Sequence, residues 1–323
     1  MRSMAFVYHA PYDVRLETRE ITCGPNDILV RVHACGRCGT DSTIFSKGHP
    51  KVDPNAPIVL GHELSAEIVK VGSNVKNLRE GIGYKEGELL SKDYLDFKKG
   101  ERITVQSRIA RYRNGLMLIP DPITILSFYI DGGYSQYMRV PEELIRSGSV
   151  LRIPEILSNE SAILIEPAAC VIESIFSTPH PIGVDQEGRH LYRVGIQRDG
   201  YAAVIGSGTV SLIYARIMKI EGAKKVYMFV RSVEKERLVK EILGEDFVCI
   251  NIDGKSHSEI VDEAESLTDG HLFDDVVVAC SDPEAQRLML ELYTYEGYAV
   301  GACVGGAHER VNGANLDSHH YRM

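Results

Sequence analysis

Two short segments near the start of the chain hold residues that bind metals. Cys35-Gly-Arg-Cys38-Gly-Thr40-Asp41 is followed by Gly61-His62-Glu63. A Cys–X–X–Cys pair alone suggests half of a structural zinc site, but such a site is closed by four protein ligands and no second pair exists. The seven cysteines stand at 23, 35, 38, 170, 249, 280 and 303. An odd number, mostly in apolar runs, argues against a disulfide framework and for buried reduced thiols at 23, 249, 280 and 303. Only Cys35, Cys38 and Cys170 lie near other metal-capable residues. One thiolate, one imidazole and one carboxylate make the better account, because a three-ligand set leaves a coordination position open for water or substrate. Cys38 and His62 supply two ligands. Glu63 and Glu166 compete for the third, or divide the roles of ligand and support.

A second chemistry resides in Gly206-Ser207-Gly208-Thr209-Val210-Ser211, which follows an apolar run and opens a helical pattern. Two glycines permit a tight turn and close approach of the backbone to a pyrophosphate, and the helix N-terminus faces the anion. Gly206, Gly208, Thr209 and Val210 are the candidate cofactor-binding residues, with Ser211 in the place of the usual third glycine. An acidic residue some 20 positions further on would bind a ribose 2′-hydroxyl. The corresponding run Lys224-Lys-Val-Tyr-Met-Phe-Val230 is followed instead by Arg231 and Ser232. A guanidinium there meets a 2′-phosphate, so the expected cofactor is NAD(P), leaning to NADP.

These residues need a framework. The first 150 or so residues read as β structure: an alternating N-terminus, then Ile28 to His33, Ile58 to Leu60, Ala66 to Val71, Arg102 to Val105 and Ser135 to Val140, separated by Gly, Pro, Asn and Asp. A compact barrel-type β domain is expected. Beyond Leu151, Ser158 to Ser161 offers N-cap chemistry before a helical run in which Pro167 marks a kink or the true first turn. His180 to Asp199 reads as a polar surface excursion. From Tyr201 a β-α-β-α series with short connections predicts a parallel sheet of five strands covered on both faces. The fold class is therefore α/β plus β, with a catalytic domain over 1–155 and a doubly wound dinucleotide-binding domain over 156–323.

Together these stretches resemble the zinc-dependent medium-chain alcohol and polyol dehydrogenases. Cys35 to Asp41, Gly61 to Gly72, Asp131 to Pro141, Ile165 to Ser174 and Ala202 to Ile217 fall in the family's order, and the resemblance covers nearly the whole chain. It implies a GroES-like β-barrel followed by a Rossmann domain. It implies that Cys38, His62 and Glu63 face a catalytic zinc, that Glu166 is a third ligand or holds a water, and that Thr40 relays the substrate proton. It implies that Asp41 orients His62 and that Cys35 packs. Cys170, a helical turn past Glu166, is a substitute-ligand candidate for which core packing is preferred. The Glu in Ile165-Glu-Pro-Ala-Ala-Cys-Val171 resembles the sorbitol, threonine and cyclitol branch, so the expected substrate is a polyhydroxylated alcohol or ketone. Arg37, Ser42, His49 and Asp131 are candidates to bind its hydroxyls.

The departures also set expectations. Residues 81–115 contain none of the four cysteines of a structural zinc, so one catalytic zinc and no structural one is expected. The chain ends at His319-His-Tyr-Arg-Met323, where family members run on, so a sixth strand and a return to the first domain are expected to be missing. By resemblance the protein is a homodimer or homotetramer.

Composition narrows the alternatives. With 44% hydrophobic and 25% charged residues, both halves can bury a core. A formal net charge of −9 disfavours nucleic acid as a partner. No apolar run reaches about 18 residues and the N-terminus lacks a signal-peptide core, so a cytoplasmic protein with no membrane partner is expected. Three rival readings are a zinc-free quinone or enone reductase of the same superfamily, an inactive shortened relative that binds without turnover, and a transferase using the glycine turn.

Overall fold

The computed structural model describes residues 1–53, 55–78, 93–107 and 126–294, and the backbone of the short strands at 111–113, 116–118, 300–303, 310–311, 314–315 and 321–322. The chain divides into two compact units, Met1–Pro167 and Ala168–Met323. Among the described residues, no helix is long and apolar enough to cross a membrane.

The first unit contains β1 (Arg2–Ala10), β2 (Asp13–Glu20), β3 (Ile28–Cys35), α1 (Gly39–Lys47), β4 (Ile58–Val59), β5 (Leu64–Val71), β6 (Arg102–Val105), β7 (Arg111–Arg113), β8 (Leu116–Leu118), β9 (Tyr137–Val140), α2 (Glu142–Arg146), β10 (Val150–Arg152) and α3 (Asn159–Ala162). An antiparallel sheet of order β10-β6-β5-β3-β9 surrounds a core that includes Ile28, Val30, Leu64, Ala66, Ile68, Ile103, Val105, Met138 and Val140. A smaller sheet, β2-β1-β4, bridges towards β9 through Ala5 and Ser135. The alternating N-terminus is thus two strands rather than one. Tyr12, at φ 61°, reverses the chain between them, a conformation an L-residue seldom adopts and one the alternation does not reveal.

Helix α1 is weakly amphipathic and buries only Asp41 and Ile44. Ile44 packs with Tyr8, Val52, Ile58 and Leu60, which ties the helix behind Cys38 to the segment that carries His62. The expected helix near Pro167 is in fact two. Ser158 caps α3 by accepting from the Ser161 N–H at 3.1 Å, and α4 (Ile165–Phe176) starts afresh with Pro167 in its first turn, where no N–H is needed.

The second unit continues with β11 (Pro179–Val184), β12 (His190–Val194), β13 (Tyr201–Ile205), α5 (Thr209–Ile220), β14 (Lys225–Val230), α6 (Val233–Leu243), β15 (Phe247–Asn251), α7 (His257–Leu267), β16 (Asp275–Val278), α8 (Pro283–Glu291), β17 (Val300–Cys303), β18 (Arg310–Val311), β19 (Ala314–Asn315) and β20 (Tyr321–Arg322). The main sheet has the order β15-β14-β13-β16-β17-β20. Its first five strands are parallel, and β20 pairs antiparallel with β17, so the sheet holds one strand more than the five expected. Alternation builds both faces. Ala202, Val204, Val226, Met228 and Val230 enter one core, while Ala203, Ile205, Tyr227 and Phe229 enter the other. Every residue of β13 after Tyr201 is therefore apolar.

The excursion from His180 to Asp199 forms an antiparallel hairpin, β11–β12. It is not wholly superficial. His180 is buried, and its Nε2 lies 3.0 Å from the Asp275 carboxylate at the start of β16. Asp275 also accepts from the Gln197 N–H at 2.8 Å, so the carboxylate anchors both ends of the excursion to the sheet.

Candidate active site

Cys38 is the N-cap of α1, with extended backbone (φ −72°, ψ 154°). Asp41, three residues on, turns back so that its Oδ2 accepts from the Cys38 N–H at 3.0 Å. This is half of a capping box, and it fixes the thiol at the helix mouth. The other oxygen, Oδ1, accepts from the Gly61 N–H at 3.3 Å and lies 3.6 Å from His62 Nδ1. Tyr134 adds a hydroxyl that donates within 3.1 Å of Asp41 Oδ2 and 3.0 Å of the Gly36 carbonyl. Asp41 is 4% exposed, so a single buried carboxylate joins α1 to the segment before β5.

The turn before His62 depends on glycine. Gly61 has φ +93°, and a Cβ there would lie 2.7 Å from Cys35 Sγ and 2.7 Å from the Tyr134 ring. Gly61→Ala is therefore expected to destabilise the protein by roughly 2–4 kcal/mol, the sum of left-handed strain and overpacking. Chemical denaturation would show it as a lower midpoint with unchanged slope.

The result is a compact ligand set. One donor atom each from Cys38, His62 and Glu63 lies within 4.8 Å of the others. Glu166 is buried and accepts from the Ser107 hydroxyl at 2.5 Å. It is not in that tight group, but its charge reaches Glu63. Burial pushes the Glu63 carboxyl above its ordinary range, opposed by His62 and the Cys38 thiol and reinforced by Glu166 and Asp41. Burial would lower the His62 pKa, yet the Asp41 carboxylate and Cys38 beside it outweigh that and hold it well above its usual value. Nδ1 of His62 has no hydrogen bond among the described residues. Asp41, Glu63 and the Cys38 thiol thus lie around a single imidazole, with Glu166 near Glu63, an excess of acidic groups that a divalent cation would neutralise. The mixed sulfur, nitrogen and oxygen donors suit zinc.

Thr40 stands in the first turn of α1, half-buried, between Cys38 and Asp41. Burial raises the Cys35 thiol strongly, so it stays protonated, as packing requires. Asp131 is committed elsewhere: it pairs with Arg19 at 3.1 Å and accepts from the Val59 N–H at 3.0 Å. His49 stacks edge-on against Phe128. Arg37 is exposed and Ser42 half-buried. Cys170 lies on α4 in the second unit. Of residues 81–115, where a structural zinc was not expected, 81–92, 108–110 and 114–115 lie outside the described residues.

In the second unit a cavity of about 660 Å³ opens at the ends of β13, β14 and β16. It lies where the strand order reverses, between β13 and β16. Gly206, Gly208 and Arg231 line it. Gly206 has φ +131°, and a Cβ there would come within 2.7 Å of Ser211 Oγ and 3.0 Å of the Ala279 carbonyl. Ser211, in the third-glycine place, is fully buried. Gly208 caps α5. Thr209 is exposed in the first turn of α5, and Val210 packs on the core; neither lines the cavity. Sequence reasoning missed Tyr134 and Ser107 in the first unit and Lys235 and Asp282 at the cavity. The Asp131 to Pro141 stretch that includes Tyr134 was visible as a motif, whereas nothing in the spacing of Ser107 or Asp282 marks them.

Known proteins resemble this chain in sequence and in fold. Residues 24–83 match the alcohol dehydrogenase GroES-like domain. The chain is 27% identical over 275 residues to the (R,R)-butanediol dehydrogenase of Bacillus subtilis (strain 168), covering 81% of this chain and 66% of that protein. It is 27% identical over 293 residues to the sorbitol dehydrogenase of Gallus gallus, covering 88% and 70%. The match thus spans about two thirds of these relatives' own length. A Sinorhizobium meliloti 1021 protein described as a zinc-binding dehydrogenase, solved bound to NADP, shares the fold with TM-score 0.66 and 20% identity, over 92% of this chain and 75% of that one. In sequence and fold the chain is similar to zinc-dependent medium-chain alcohol and polyol dehydrogenases, and residues 24–83 match their GroES-like domain.

Proposed function

We propose that this chain is an NAD(P)-dependent zinc dehydrogenase acting on a secondary alcohol that carries further hydroxyls. The observation that carries the proposal is the meeting of Cys38, His62 and Glu63 donor atoms within 4.8 Å at the mouth of α1. Cys38, His62 and Glu63 would hold one zinc. Glu166, fixed by Ser107, would stand beside it as the carboxylate that positions a water or substrate hydroxyl. When bound, zinc supplies the Lewis acidity that makes an alcohol hydroxyl more acidic, and the nicotinamide supplies the hydride acceptor.

The chain's own groups divide the remaining work. Asp41 holds the Cys38 backbone in place and faces His62 Nδ1 from 3.6 Å, where it would act as the supporting carboxylate that orients a metal-binding histidine. Thr40 would take the substrate proton from the reacting hydroxyl and pass it on. Gly206 and Gly208 leave the pyrophosphate room to meet the α5 N-terminus. Arg231 and Lys235 favour the 2′-phosphate of NADP over NAD. The relatives that act on butanediol and sorbitol support a vicinal diol or a polyol as substrate.

The test is a panel of vicinal diols, sugar alcohols and cyclitols offered to purified protein with NAD and with NADP, together with metal analysis. About one zinc per chain and nucleotide reduction with at least one polyol are expected. Zinc-free protein that reduces enones or quinones would overturn the proposal in favour of a zinc-free reductase. Bound zinc and nucleotide with no turnover across the panel would overturn it in favour of a binding protein.

A further inference from the structure

The Arg231 guanidinium is already engaged. It forms an ion pair with Asp282, and both side chains line the nucleotide cavity together with Lys235. Arg231 follows β14 and Asp282 precedes α8, so the pair joins the ends of two different strand–helix connections. Asp282 is itself fixed. As N-cap of α8 its Oδ1 accepts from the Glu284 N–H at 3.0 Å, which leaves Oδ2 to Arg231. The side chain of Asp282 is 26% exposed and that of Arg231 62%, so the carboxylate is the more anchored partner.

We infer that Asp282 is a specificity-determining residue that restrains the preference for the phosphorylated dinucleotide by holding Arg231. This rests on the reading of Arg231 as the group that receives the 2′-phosphate. With Asp282 present, Arg231, Lys235 and Asp282 give this wall of the cavity one net positive charge; without it the wall has two. A phosphate monoester brings about −1.5 to −2 charge near neutral pH, whereas a 2′-hydroxyl brings none. Only the phosphorylated cofactor must therefore draw Arg231 away from its partner. The ion pair occupies part of a guanidinium that has five N–H donors in all and offsets its charge, so less of both is left for a phosphate.

The test is fluorescence titration of the full chain with NADPH and with NADH, read as the ratio of their affinities. Asp282→Asn keeps an oxygen for the α8 cap and removes the charge. It is expected to raise the NADPH-to-NADH affinity ratio about tenfold. Asp282→Ser, which also caps, must raise it likewise. Arg231→Gln is expected to lower the ratio, and adding Asp282→Asn to it should raise the ratio by clearly less than in the wild type. An unchanged ratio in both Asp282 variants overturns the inference, even if Arg231→Gln behaves as expected. A rise of undiminished size in the Arg231→Gln background also overturns it, because Asp282 would then act on the phosphate directly and not through Arg231. If Arg231→Gln leaves the ratio unmoved, the reading of Arg231 itself fails, which is a distinct result.

Discussion

Cys38→Ser is expected to yield a folded protein that retains little zinc and has lost turnover by roughly a thousandfold or more. The fold should survive because Cys38 is the N-cap of α1, and serine is a better cap than cysteine. The backbone N–H of residue 38 keeps its bond to Asp41 whatever the side chain. What changes is the donor set. A thiolate is a charged, soft ligand, whereas a serine hydroxyl is neutral and holds zinc poorly, leaving only His62 and Glu63 from the tight group. Lewis-acid stabilisation of developing charge is worth several kcal/mol, and each 1.4 kcal/mol or so is a factor of ten, which sets the expected scale. Wild-type protein stripped by a strong chelator should fall to the same level and recover when zinc is returned; the Ser variant should not recover. Steady-state oxidation of the best substrate, with zinc counted by atomic absorption, decides it. Full turnover by zinc-free Cys38→Ser protein would remove the metal from the mechanism.

The contrast between the two units shows what a sequence exposes. The Rossmann half was legible because each central strand is buried on both faces and must be apolar throughout. Runs such as Ala202 to Ile205 and Val226 to Val230 stand out against the polar helix surfaces between them. The glycine turn was legible because Gly206 takes φ +131° with a neighbour's hydroxyl 2.7 Å from where its Cβ would be. The first unit is harder, since its strands face water on one side and its turns follow no single rule. The Pro11–Tyr12 reversal relies on a tyrosine at positive φ and went unread. Cys38, His62 and Glu63 could be chosen as a set, but the part played by Glu166 could not be assigned from spacing. That part depends on Ser107, 59 positions away, which fixes the carboxylate from another strand's end. Likewise Arg231 was visible at the end of β14, but its partner Asp282 sits on a different connection, and only the folded sheet brings the two together. Local chemistry is written in the sequence; the identity of the second partner is written in the topology.

Asp41 is where local and tertiary constraints converge, and its removal is expected to be the most damaging change short of losing a zinc ligand. Its two oxygens accept from the Cys38 N–H, the Gly61 N–H and the Tyr134 hydroxyl, and Oδ1 faces His62. Asp41→Ala leaves these donors without that acceptor, and each buried donor left unsatisfied costs about 1–3 kcal/mol. Asp41→Asn has the same shape but only one accepting oxygen. If that oxygen keeps Cys38 and Tyr134, its amide N–H₂ must face the Gly61 N–H, so one side of the network always fails. Both variants should lower zinc affinity some 10–100-fold, the usual effect of losing a carboxylate that orients a metal-binding histidine. Competition with a chromophoric chelator measures that loss. Thermal unfolding of the zinc-stripped proteins measures the structural part separately, and there Asp41→Ala should fall below Asp41→Asn. Tyr134→Phe supplies the comparison, since it removes one donor and leaves the carboxylate intact. It is expected to cost about 1 kcal/mol of stability while keeping zinc affinity close to that of the wild type. If Asp41→Asn kept full zinc affinity while Tyr134→Phe lost it, the organising group would be the tyrosine, and the carboxylate would serve only to cap α1.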